Sequence, residues 1–184
     1  NGQADVFVHD RETHTTTRVS VASDGTGGNG VSLEPSISGD GRYVAFRSLS
    51  SNLVANDTNG LYDVFFLYYK TGATTEVSVA SHGTEGNKWA VEPSISDDGR
   101  YVAFNSYADN IVANDTNSTG DAFVHDRQTG TTTRVSVASD GTQSYSVIQR
   151  PEISGDGRYV TFFSSSSTLV ATDQNGREYG FVHA

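Results

Sequence analysis

Short runs of β-branched and aromatic residues, such as Arg42-Tyr43-Val44-Ala45-Phe46 and Asp5-Val6-Phe7-Val8-His9, alternate along the chain with clusters of Gly, Asp and Asn. Branched and aromatic side chains fit a pleated, half-buried surface, so the runs read as strands and the polar clusters as turns. Apolar residues do not recur at the spacing of a helix. Asp-Gly pairs at 40–41, 98–99 and 156–157 stand between successive apolar runs. Gly accepts positive φ and Asp bonds its own backbone, so each pair predicts a tight hairpin. Lys70-Thr71-Gly72 and Arg127-Gln128-Thr129-Gly130 mark a second one. The pattern predicts four strands, Pro35–Ser38, Tyr43–Arg47, Asp63–Tyr69 and Thr74–Ala80, before the next begins at Pro93.

The same pattern returns at a fixed period. Glu34 to Phe46 reappears as Glu92 to Phe104 and again as Arg150 to Phe162, and prolines 35, 93 and 151 are each 58 residues apart. Asp57, Asp115 and Asp173 keep that spacing, as do Val19, Val77 and Val135. The chain therefore reads as one repeat region, with copies at about 5–62, 63–120 and 121–178 and a partial fourth at 179–184. Four hairpin-linked strands per period make one antiparallel sheet, which cannot bury both faces alone and must stack on its neighbours. Sheets of about this size suit the blades of a β-propeller.

The run Pro-x-Ile-Ser-x-Asp-Gly-x-Tyr-Val-Ala-Phe, followed by an Asp-Val-Phe strand and a Thr-Gly hairpin, resembles the TolB-type WD-like propeller repeat. The resemblance implies an all-β propeller of four-stranded antiparallel blades and implies no particular activity. The family usually has Ser-Pro-Asp-Gly at the first hairpin. This chain has Ser-Gly-Asp-Gly or Ser-Asp-Asp-Gly, as in bacterial secreted repeats, and Gly or Asp can occupy the place that Pro would fix. Three copies are fewer than the four to eight blades of a closed propeller. A homo-oligomer completing the ring, further repeats, or an open fibre-like stack are the alternatives for covering the two flanks.

Composition narrows the function classes. With 12 Lys+Arg against 22 Asp+Glu the net charge is −10, which disfavours nucleic acid and anionic membranes as partners. No run approaches a membrane span, so no membrane insertion is expected. The absence of Cys excludes disulfides, thiolate zinc sites and cysteine nucleophiles. With no Met, Asn1 does not read as a translation start, so the chain is expected to be processed or excised. No nucleophile elbow, zinc-protease motif, phosphate loop or dinucleotide fingerprint occurs, and no catalytic residue is assigned.

In an up-and-down sheet the connections alternate between two rims. The Asp-Gly hairpins occupy one rim, and the long segments 23–34, 81–92 and 139–150 share the other with the Asn-Asp-Thr-Asn loops. Ligand recognition is expected on the long-loop rim. There Asp57, Asn59 and Asp63, with their copies Asp115, Asn117 and Asp121, place oxygens at relative positions 1, 3 and 7, as at the start of a calcium loop. Asp173 and Asn175 begin a third copy, with Tyr179 at position 7. The same residues also suit Asx-turns that need no metal. Trp89, beside Asn87 and Lys88, and Tyr145, near Gln149 and Arg150, would suit a sugar ring or a protein surface. Trp89 aligns with Val31 and Val147, so an apolar anchor between blades is the competing reading. His9, His125 and His183 share one strand position and fit packing roles, while Arg18 and Arg134 alternate with Glu76 at another, where cross-blade ion pairing is conceivable. Asn56, Asn114 and Asn117 fit the glycan-acceptor pattern. The residues point to a non-enzymatic, secreted or periplasmic module binding protein or glycan, with calcium as a candidate cofactor. The alternatives are a surface fibre or matrix protein, and a polysaccharide lyase or hydrolase propeller.

Overall fold

In the computed structural model, which describes residues 2–170 and 179–183, the predicted runs are strands and the described residues contain no helix. A two-stranded sheet, β1 (Phe7–Asp10) with β2 (Thr15–Arg18), comes first. Two four-stranded meanders follow: β3 (Ser32–Ile37), β4 (Tyr43–Ser48), β5 (Asp63–Tyr68) and β6 (Ala73–Glu76), then β7 (Ala90–Ile95), β8 (Tyr101–Ser106), β9 (Asp121–Asp126) and β10 (Thr131–Arg134). The last sheet holds β11 (Gln149–Ile153), β12 (Val160–Ser164) and β13 (Tyr179–His183). All pairings are antiparallel, and equivalent strands keep one register, with Phe46 opposite Phe65 and Phe104 opposite Phe123.

Two boundaries differ from the sequence prediction for physical reasons. The first strand of each full sheet starts earlier, at Ser32 and Ala90, and carries a bulge between Leu33 and Ser36 and between Val91 and Ser94. The bulge carries the chain past a proline that cannot donate to the ladder. The fourth strand ends at Glu76 instead of Ala80, because the Ser78 hydroxyl takes over the amide of Val64 (3.0 Å).

The sheets stack as blades, with β3, β7 and β11 approaching one another along the inside. Ser36 Oγ accepts from the Ile95 amide (3.3 Å) and Ser94 Oγ from the Ile153 amide (3.1 Å). On the outside, Thr74 and Thr132 are tied to Ser23 and Ser81 of the preceding loops (2.9 Å each). Between the second and third sheets lie Val64, Phe66, Val102, Phe104 and Ile95, each buried large side chain contributing about 1.5–3 kcal/mol. Tyr43 lies against the Asp-Gly turn of the next sheet, where Gly99 has φ +71° and an added Cβ would enter the Tyr43 ring; Tyr101 repeats this at Gly157. Arg127, in the turn beside Asp126, does not pair with it. Its guanidinium lies on the Phe66 ring (3.1 Å to the centroid) and donates to the Gly99 carbonyl, while Asp126 pairs with Arg100 (2.7 Å).

Burial follows the neighbours a residue has. Ile95 and Ile153 are 7% and 9% exposed, whereas Ile37, at the same position of the preceding copy, is 51% exposed. Phe7 is exposed although Phe65 and Phe123 are fully buried. At the opposite end Phe163 and Val182 are exposed. The described stack therefore has two uncovered apolar flanks.

Candidate functional site

The long-loop rim is built, not slack. Isolated bridges Val21–Gly27, Val79–Glu85 and Val137–Gln143 close a small turn inside each long loop. The predicted ligand residues Asn87 and Lys88 are engaged with Asp109, at 2.7 and 3.1 Å, and pin their loop to the one after β8. Trp89 is not an anchor between blades. Ala90 beside it fills the inward place, so strand alternation turns the indole outward, and it is 57% exposed. Its carbonyl accepts from the Tyr107 amide (3.1 Å) and the Ser106 hydroxyl (3.0 Å), which fixes the backbone beneath the ring. Tyr145 is 68% exposed and, with Gln149, lines a cleft of about 410 Å³ completed by Thr119, Ser146, Val147 and Ser165. Tyr107 is also exposed on this rim. Sequence reasoning passed over it, although its position varies among the copies (Leu49, Tyr107, Ser165) as Trp89's does.

Arg150 belongs elsewhere. With Glu34, Glu92 and Glu152 it lines a cavity of about 500 Å³ along the inner strands. Glu34, Glu92 and Arg150 have left-handed backbones (φ 52°, 56° and 47°) immediately before proline. Such a conformation costs about 1–3 kcal/mol and persists where the surroundings hold it. At Glu92 and Arg150 a carboxylate of the preceding copy holds it: the Glu92 amide donates to Glu34 (3.0 Å) and the Arg150 amide to Glu92 (2.7 Å).

The predicted calcium positions divide between two copies with different surroundings. In the third sheet Asp121 is fully buried, its Oδ1 accepting from Ser136 Oγ (2.5 Å) and its Oδ2 from Asn117 Nδ2 (2.8 Å). The Arg134 guanidinium stands against Asp115 (3.1 Å) and Asp121 (3.5 Å) and donates to Gln143 (3.0 Å). In the first sheet Arg18 pairs with Asp5 (2.7 Å). These ion pairs lie within a sheet, not across sheets. In the second sheet Glu76 stands at the arginine position and Glu85 at the Gln143 position, beside Asp57 and Asp63. Asp63 is fully buried; its Oδ1 accepts from Ser78 (3.2 Å) and its Oδ2 receives no hydrogen bond. Asn59 stands beside this carboxylate and lowers its proton affinity as a side-chain hydrogen-bond donor does, yet it stays outside bonding distance of Oδ2 and its Nδ2 donates to the Gly86 carbonyl (3.3 Å). Burial, then the neighbouring carboxylates, push the proton affinities of Asp63 and Glu76 well above the usual carboxylate range, and burial raises Asp57 likewise. Asn59 and Asn117 also make the expected Asx-turns, to the amides of Leu61 (2.7 Å) and Thr119 (3.1 Å). Asp173 and Asn175 lie outside the described residues. Among the described residues, no three Asp, Glu or His side chains are gathered closely enough to hold a metal ion as they stand.

No protein-family model and no curated protein matches the chain. Among solved structures it is similar to TolB from Acinetobacter baumannii (16% identity, TM-score 0.55), over 97% of this chain and 34% of that one. It is also similar to a prolyl endopeptidase (18%, 0.53; 87% and 22%) and to an oligogalacturonate lyase in complex with manganese (12%, 0.51; 98% and 41%). The chain thus spans well under half the length of each. At these identities the likeness establishes the fold, a TolB-like partial β-propeller, and nothing of the chemistry.

Proposed function

We propose that this chain is a binding module that works outside the cytoplasm, using its long-loop rim to hold a protein or glycan ligand. The observation that carries the reading is the exposure of Trp89, Tyr107, Tyr145 and Val147 on one rim of a rigid stack, beside the polar groups of Asn87, Lys88 and Gln149. Aromatic faces take the apolar side of a sugar ring or a hydrophobic side chain, and amides satisfy the polar groups around it. The net charge of −10 favours a neutral or basic ligand. The uncovered flanks support a further proposal, that additional blades, from a second copy or from further repeats, complete the ring.

Trp89 is the single tryptophan, so its fluorescence reports directly on the rim. Titrating panels of neutral oligosaccharides and of basic peptides is expected to give a saturable change in emission for one class. W89A and Y145A, the former followed by calorimetry, are each expected to weaken that binding about tenfold or more, at about 1–3 kcal/mol, without changing the melting temperature. Unchanged affinity in both variants, or no response to either panel, rejects the rim as the binding surface.

A further inference from the structure

The second sheet places four carboxylates, Asp57, Asp63, Glu76 and Glu85, where its neighbours balance their acids with a guanidinium. The repeat supplies the comparison internally: one backbone frame is presented with Arg18, Glu76 and Arg134 at a single position. In the third sheet the Asp121 oxygen that faces the guanidinium and Asn117 is Oδ2. In the second sheet the same oxygen of Asp63, fully buried, has no hydrogen-bond partner. Its other oxygen accepts from the equivalent serine in both copies, but in the second sheet that one Ser78 hydroxyl also lies against Glu76 Oε1 (3.1 Å), so two carboxylates share a single donor. Asp63 Oδ2 is therefore aimed at the place a positive charge occupies next door.

We propose that the second sheet binds a hard divalent cation, calcium, in place of that guanidinium, with Asp57, Asp63 and Glu76 as its carboxylate ligands.

A buried carboxylate left unpaired is strongly destabilising, so Asp63, with Glu76 beside it in place of an arginine, needs either bound protons or a cation. The donor set is all oxygen and multiply anionic, which matches calcium, an ion that takes six to eight oxygens in flexible geometry. Magnesium demands near-octahedral ligands and keeps its waters, which suits a crowded, irregular site less well. Assembly requires the Asp57 and Glu76 side chains to rotate toward Asp63 Oδ2, and carboxylates that otherwise repel one another have reason to do so around a cation. Glu85 holds the loop entering β5 by accepting from the Thr58 amide (3.1 Å) and hydroxyl (3.0 Å). The site stands independently of what the long-loop rim binds. The equivalent Asp115, Asn117 and Asp121 are already served by Arg134, so the stoichiometry among the described residues is one ion.

The test is calorimetric titration of calcium into chelator-treated chain, with thermal melts in chelator and in calcium. The expected result is one ion per chain and a melting temperature higher by about 5 °C in saturating calcium. E76R, which installs the neighbouring arginine, is expected to abolish the binding and to melt, metal-free, at or above the metal-free parent. E76Q is expected to weaken binding about tenfold or more. Absence of saturable heat and of any shift at millimolar calcium overturns the proposal and leaves protonation as the remedy. So does undiminished binding in a folded E76R or, should E76R not fold, in E76Q. Calcium alone is the probe, so failure here is distinct from failure of the rim as a ligand surface.

Discussion

His125 shows how much one side chain's behaviour depends on its neighbouring sheet. It is buried, with Nδ1 against Thr132 Oγ1 (2.8 Å), whereas His9, at the same position of the first sheet, makes the same contact with Thr16 in the open. Burial, reinforced by Arg127, lowers the proton affinity of His125 below its ordinary 6.5. The unfolded chain therefore takes up this proton first. The stability contribution of neutral His125 is complete above pH 6.5 and is lost as the pH falls below it, by at most about 1.4 kcal/mol per pH unit. Leu67 fills the same place in the second sheet, so H125L is expected to fold and to flatten the acid side of the stability profile measured by urea denaturation. The packing role read from the repeat holds at His125 and fails at His9, which makes the same bond in the open. The Arg127 contact with Phe66 was not legible, because it crosses between sheets and no spacing along the chain encodes it. Nor were the left-handed Glu34, Glu92 and Arg150 legible, since a residue before proline ordinarily favours extended backbone.

At the level of the element, each blade is a frame into which different charges have been fitted. Removing the guanidinium from the third sheet tests this directly: R134E leaves Asp115 and Asp121 facing a third acid. The variant is expected to lose about 3–5 kcal/mol in chelator at neutral pH and to recover part of that loss in calcium, measured by urea denaturation under both conditions. The alternation of Arg18, Glu76 and Arg134 was visible in the sequence, and so were Asp63 and Asp121. That the arginine reaches the aspartate diagonally across the hairpin was not, because Arg134 stands opposite Phe123 in the register and only the length of its side chain carries the charge to Asp121. The strands themselves were legible because turn chemistry and apolar alternation agree in every copy. Their exact ends were not, because a proline bulge opens the first strand and a serine hydroxyl closes the last.

For the molecule as a whole, the uncovered flanks dominate the surface chemistry. Ile37 on one flank and Phe163 and Val182 on the other stand at positions where burial is worth about 1.5–3 kcal/mol per large side chain. The chain of 184 residues is expected to self-associate, and I37D combined with V182D to reduce its mass in light scattering toward that of a single chain. The inner rungs add a constraint on how copies can join. In each rung an earlier copy supplies a carboxylate and the following copy an amide, from Glu34 to Glu92 and from Glu92 to Arg150. Such a contact has a donor side and an acceptor side, so it is not self-complementary under a twofold axis. Assemblies that extend it run head to tail, and they close only as a cycle with one polarity. At position 150 the polarity reaches a cation, so whatever sheet packs after β11 meets a guanidinium at that rung, and the seam there is chemically marked.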